Sequence, residues 1–170
     1  MGNRLSHVDE AGEARMVNVG EKAITRRVCV ARGQVLMRPE TLQEIAQGTI
    51  PKGDVLATAR IAAIQAAKRT SEWIPLAHPL PLDGVLVELT PDISGSLGKI
   101  SIKVTVQAQA RTGVEMEALV AVSAAGLTIY DMCKAIDRDM TLDAVELVSK
   151  SGGKSGDWQR RESQKKGRTR

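Results

Sequence analysis

Between Glu117 and Asp131 the chain runs for thirteen residues without a charge, ALVAVSAAGLTIY. A helix of that composition has almost no polar face to offer water, so other elements must cover most of its circumference. The run ends abruptly. In LTIYDMCKAIDRDM, Asp131 and Lys134 stand three residues apart, a spacing that puts both on one side of a helix. Two readings fit this pair. On a solvated surface it is an ion pair worth little. In a cleft, desolvation would push Lys134 toward neutrality while Asp131 kept its charge, and such a pair can pass protons.

The clearest covering element is KISIKVTVQAQA. Ile100, Ile102, Val104, Val106 and Ala108 fall on one face and Ser101, Lys103, Thr105, Gln107 and Gln109 on the other, the period of a half-buried strand. With GVLVELT before it and PDISGSLG between, it predicts an antiparallel hairpin. AITRRVCVARGQV reads as an earlier strand and TLDAVELVSK as a last one. RPETLQEIAQG has Pro39 at the start and Gly48 at the end of a short helix. In KGDVLATARIAAIQAAKR, Asp54 caps a second helix whose apolar composition predicts that most of its faces are covered. Thr112 and Glu115 have the spacing of a capping box for the long helix.

IPLAHPLPLDG, with Pro75, Pro79 and Pro81, is a stiff loop that presents His78. The order is strand, helix, helix, strand, strand, helix, strand. It predicts an α+β, ferredoxin-like split βαβ fold, an antiparallel sheet with helices packed on one face. The expected boundaries are a flexible arm over 1–12, one domain over 13–158 and a basic disordered tail over 159–170, with disorder extending back toward the glycine-rich run from Ser151.

At 170 residues the chain can bury one substantial core. That core must be aliphatic, because Trp73, Trp158 and Tyr130 are the only aromatics. The net charge of +4 is uneven: residues 151–170 hold seven Lys or Arg against two Asp or Glu, leaving the rest at −1. The basic character therefore belongs to the C-terminal end. Cys29 and Cys133, two thiols without a framework, suggest a reducing cytoplasm. No apolar run reaches the roughly 20 residues a bilayer requires.

Several residues have the chemistry of a site. Glu115 and Glu117 open the long helix, where carboxylates suit the dipole, but two positions apart they point in different directions. Both serve a site only where two surfaces meet there. Lys52, in IPKGDV, precedes a helix N-terminus, a place that suits phosphate. SGGKSG lacks the first glycine of a Walker A loop, yet it can form an anion nest around Lys154. His and Cys are too scattered for a metal site. Lys52, His78, Lys134, Lys150 and Lys154 set against Glu115, Glu117 and Asp131 suit a phosphate-bearing substrate and proton transfer. Two other classes compete. A ferredoxin-like sheet can bind RNA, but such sheets stack bases on aromatics that this chain lacks. A non-catalytic oligomer would bind a nucleotide without changing it.

KGDVLATARIAAIQAAKRTSEWIPLAHPL, TGVEMEALVAVSAAGLTIYDMCKA and KSGGKSG together closely resemble the MoaC family of molybdenum cofactor biosynthesis, over roughly Leu5 to Trp158. The resemblance implies a lyase, a cyclic pyranopterin monophosphate synthase. It would convert 3′,8-cyclo-7,8-dihydroguanosine 5′-triphosphate into cyclic pyranopterin monophosphate and release diphosphate. It implies Asp131 and Lys134 as the acid/base pair with Lys52 as a further catalytic lysine. Leu76, Ala77, His78, Glu115, Met116, Glu117, Lys150 and Lys154 would contact substrate. No protein-held metal or cofactor is expected, Mg²⁺ coming at most with the triphosphate, and neither a membrane nor a nucleic acid is an expected partner. The resemblance also implies a hexamer, a trimer of dimers with the site at the dimer interface. The chain departs from the family pattern at Asn18, usually aspartate, and at Ala77, often cysteine.

Overall fold

The computed structural model describes residues 14–161 apart from Ser94 and Ser155. The expected N-terminal arm and residues 162–170 lie outside the described residues. Nine elements follow in order: β1 (Thr25–Met37), α1 (Pro39–Gln47), α2 (Val55–Lys68), α3 (Thr70–Trp73), β2 (Gly84–Asp92), β3 (Gly98–Ala110), α4 (Glu115–Cys133), β4 (Thr141–Ser151) and β5 (Trp158–Gln159). The sheet order is β2-β3-β1-β4-β5. Every pairing is antiparallel, so the α+β, ferredoxin-like arrangement holds with one strand added at an edge.

The alternation of β3 is realised residue by residue. Ile100, Ile102, Val104, Val106 and Ala108 are all buried, facing Cys29, Ala31 and Val35 of β1 within one core. Each fully buried Ile or Val contributes about 1.5–3 kcal/mol relative to exposure. α4 lies across this face. Gly33 of β1 permits its approach, because a Cβ there would stand 2.7 Å from Val122 Cγ1. α2 packs beside α4 through Ala59, Ala63, Ala66 and Ala67, residues small enough to bring the two helices together.

The helix signals at α1 and α2 are correct. Pro39 opens α1 and Gly48 closes it at φ 69°; the Asp54 carboxylate accepts from Ala57 N at 2.9 Å. α4 is long and apolar enough to cross a membrane by composition, but most of it is buried in the core.

Four expectations change. α4 starts after Val114 with no side-chain cap, so Thr112 and Glu115 form no capping box; the Glu115 carboxylate instead takes Lys150. α2 is covered on one side only by the described residues, leaving Ile61 55% exposed. The β2–β3 loop is shorter than expected, Pro91 and Asp92 being part of β2. At the C-terminal end, Trp158 and Gln159 pair with Lys150 and Ser149, and Arg160 N donates to Val148 O, so the sheet continues past the glycine-rich run to Gln159.

Candidate active site

The single exposed stripe of α4 carries Met116, Leu127 and Asp131, and Lys134 caps its end. At that end Asp131 is held from both sides. Lys134 Nζ lies 2.7 Å from one carboxylate oxygen and Lys52 Nζ 2.8 Å from the other. Lys52 reaches there from the turn before α2, and also donates to the Asp131 main-chain carbonyl at 2.8 Å, adding positive charge where the helix dipole is negative. Hydrogen bonds from Lys134 and then Lys52 lower the Asp131 carboxyl to about 2.

Lys134 moves opposite to the cleft expectation. Its hydrogen bond to Asp131 raises its pKa, and burial works only weakly against that. The reason is geometric. Lys52, Asp131 and Lys134 are each about half exposed, at 47%, 56% and 52%, so no surface of this chain desolvates them.

The other end of α4 is concave. A cavity of about 760 Å³ is lined by five cations, Lys22, Arg27, Arg111, Lys150 and Lys154, against two carboxylates, Glu21 and Glu115. Lys150 Nζ and Glu115 Oε1 are 3.1 Å apart and both are partly buried. Arg27 fans its guanidinium over the carbonyls of Ala110, Gly152 and Arg111 at 3.2–3.5 Å. Gly152 and Gly153 have φ of 89° and 82°, and a Cβ on Gly153 would collide with Arg27. Gly153 thus makes room for Arg27, and Gly152 for the carbonyl of Arg26. The hydroxyl of Thr25, on the cavity wall, is buried with no hydrogen-bond partner among the described residues.

A second cavity of about 360 Å³ shares Lys22, Thr112, Gly113 and Glu115 with the first and adds Leu76, Ala77, His78, Met116 and Glu117. His78 Nε2 lies 2.9 Å from Val17 O and, as the donor, leaves Nδ1 as the acceptor. Glu117 is 4% exposed. Burial raises its carboxyl to about 7, the Glu115 charge adding to the effect. A group that titrates near neutrality can both take and give a proton. Cys29 is also on the cavity wall, but burial and then Glu115 push its thiol up to about 12; burial pushes Cys133 to about 11. Neither supplies a thiolate at neutral pH. Among the described residues, no three His, Cys, Asp or Glu side chains cluster to hold a metal.

The structure therefore gathers Leu76, Ala77, His78, Glu115, Met116, Glu117, Lys150 and Lys154 at one end of α4 and Lys52, Asp131 and Lys134 at the other. Arg27, Arg111 and Lys22 were missed. Arg27 had a signal: it shares the inward-facing register of β1 with Cys29 and Ala31, where a charge breaks the apolar face. Arg111 and Lys22 lie outside the strands and helices, where no period marks them.

Fold and site define a ferredoxin-like protein with a cation-lined cleft and a second, separate cluster of ionisable groups. Residues 16–153 match the MoaC family, and the chain belongs to it. It is 58% identical over 161 residues to the cyclic pyranopterin monophosphate synthase of Chloroflexus aggregans (strain MD-66 / DSM 9485), covering 95% of this chain and 96% of that protein. It is 61% identical over 154 residues to the synthase of the same name from Roseiflexus sp. (strain RS-1), 91% of this chain and 96% of that one. Against the Nostoc sp. (strain PCC 7120 / SAG 25.82 / UTEX 2576) protein of that name the identity is 56% over 154 residues, 91% of this chain and 90% of the relative.

Proposed function

We propose that this chain is a cyclic pyranopterin monophosphate synthase of molybdenum cofactor biosynthesis, a lyase working by general acid/base catalysis. Its substrate is 3′,8-cyclo-7,8-dihydroguanosine 5′-triphosphate and its products are cyclic pyranopterin monophosphate and diphosphate. The observation that carries this reading is the joined pair of cavities, one rich in cations and one holding a carboxyl that titrates near neutrality.

In this reading the triphosphate lies among Arg27, Arg111, Lys150 and Lys154, and the base end lies toward Glu117 and His78. Closing the cyclic phosphate requires a substrate hydroxyl to attack the α-phosphorus. The new P–O bond forms as the bond to the β-phosphate oxygen breaks, the hydroxyl proton passes to a base, and diphosphate leaves. The surrounding cations stabilise charge on the departing group. Lys134, an ammonium held beside a carboxylate, supplies the acid for the ring-opening steps, and Asp131 fixes its direction. The protein contributes no cofactor of its own, and any Mg²⁺ enters with the triphosphate.

One chain holds two half-sites. A second copy packed antiparallel along the exposed stripe of α4 brings the Asp131 end of one copy to the Glu115 end of the other. The twofold would pass near Ser123, midway between them. Leu127 and Ile61, exposed at 54% and 55%, supply apolar area for that contact. Three such dimers complete the hexamer.

The test supplies purified protein with the freshly made cyclic intermediate and follows diphosphate release and the fluorescent oxidised pterin. Both should appear together. Tight binding without either product would replace the synthase with a non-catalytic binding protein.

A further inference from the structure

The segment before β1 lines both cavities. Val17 and Val19 line the smaller, Glu21 and Ala23 the larger, and Lys22 lines both. The segment belongs to no helix or sheet strand, so a few polar contacts set its course. Asn18 Oδ1 accepts from Gly20 N at 2.8 Å, an Asx-type turn. Lys22 N donates to Val19 O at 3.0 Å and closes the next turn. Arg111 donates to the Gly20 carbonyl, and His78 holds Val17 O. Two site residues thus pin the segment, and the turn at Asn18 lies between the pinned carbonyls.

The Lys22 ammonium forms no ion pair with a described residue. It stands where cations already outnumber carboxylates. Five cations against two carboxylates leave a positive excess at the cavity, and an anion among them would offset it. We infer that Lys22 binds a phosphate group of the ligand where the two cavities meet, and that Asn18 is a positioning residue that sets Lys22 there through the turn. This rests on the reading of the cleft as a polyphosphate site. It also accounts for asparagine at position 18. The turn needs a side-chain oxygen as acceptor, which Asn and Asp both supply, and the amide adds no negative charge beside an incoming anion.

Titration calorimetry with inorganic diphosphate tests this on the full chain. Lys22→Ala should weaken diphosphate binding about tenfold, the loss of one charge-assisted hydrogen bond, and Lys22→Arg should bring it back to within about threefold. Asn18→Ala should weaken binding about three- to tenfold and Asn18→Asp less than about threefold. With the cyclic intermediate, Lys22→Ala and Asn18→Ala should raise KM more than they lower kcat. The double alanine variant should bind no worse than Lys22→Ala alone, because Asn18 acts only through Lys22. Wild-type binding that Lys22→Ala leaves intact overturns the inference and spares the cleft. Additive losses in the double variant overturn the positioning role of Asn18. A wild-type chain that takes up no diphosphate overturns the cleft reading, and this inference with it.

Discussion

Glu115 and Asp131 stand at opposite ends of the same helix, sixteen positions apart along α4, or about 24 Å along its axis. No bending of a helix packed between a sheet and α2 brings those carboxylates into one site within a chain. If the reaction uses both ends, two copies must share each site. Co-assembling Lys134→Ala and Glu117→Gln protomers tests this. Each variant alone should be inactive. Random mixing should restore about a quarter of wild-type activity, since half the dimers are mixed and each mixed dimer has one intact site. A mixture as inactive as its parts would show that the two ends do not meet across a shared site.

Lys134→Ala by itself should lower turnover at least about 100-fold, the loss of a positioned acid. The fold should hardly notice, because an exposed ion pair adds little to stability. The same variant has a second readout. Asp131 loses the larger of the two effects that hold it at about 2, so its carboxyl should rise toward the ordinary range, and Lys52 should keep it from arriving fully. A carboxylate NMR titration of the two proteins measures the difference. An unmoved Asp131 would show that the clamp does not exist in solution.

Three residues past Lys134, Asp137 is 2% exposed and ties the end of α4 to the start of α1. Its carboxylate accepts from Arg38 N at 2.9 Å, Thr41 Oγ1 at 3.0 Å and Asp139 N at 3.2 Å. Burial opposes its charge, but these hydrogen bonds outweigh burial and hold the carboxyl below its ordinary value. Asp137→Ala strands those donors and should cost about 3 kcal/mol. The sign with pH follows. A depressed folded pKa gives stability that is present above the unfolded value, near 4, and lost as the pH falls through the folded one. Urea unfolding at pH 7 and at pH 3 should show wild type and variant converging in acid. A constant gap would rule out the charged form as its source.

Local pattern carried most of the fold. The alternation of β3, the Pro39 and Gly48 bounds of α1 and the Asp54 cap are interactions between near neighbours, and each is legible in a short window. What failed depends on distant partners. Thr112 and Glu115 have the right spacing for a capping box, but Glu115 finds Lys150 on β4, and a charged partner outcompetes a backbone amide. The two residues of β5 exist because the edge of β4 is there to pair with. The outer face of α2 reads as buried because its residues are apolar, yet no described residue covers it. The candidate site residues stand out by type and resemblance, and their split between two clusters was implicit in the length of α4. The tuning of Lys134 was not legible, because it depends on exposure that spacing does not encode. The arginines that build the larger cavity were harder still, Arg27 being visible only as a charge on the wrong side of β1.

Glu117 gives the sharpest pH test. Its carboxyl is raised from 4.5 to about 7 by burial, so the folded chain keeps a proton that the unfolded chain gives up. Between those values the native state binds more protons, and stability must fall as the pH rises. The fall should begin near pH 4.5 and be complete above about 7. Its size is on the order of 3 kcal/mol if the whole shift is expressed. Glu117→Gln keeps the shape and removes the ionisation. Against wild type it should be level near pH 4.5 and more stable at pH 8, while losing turnover. That combination separates a group kept for chemistry from one kept for packing. Denaturant midpoints across pH 4.5–8 measure it, and parallel curves for the two proteins would mean that Glu117 ionises at its ordinary value.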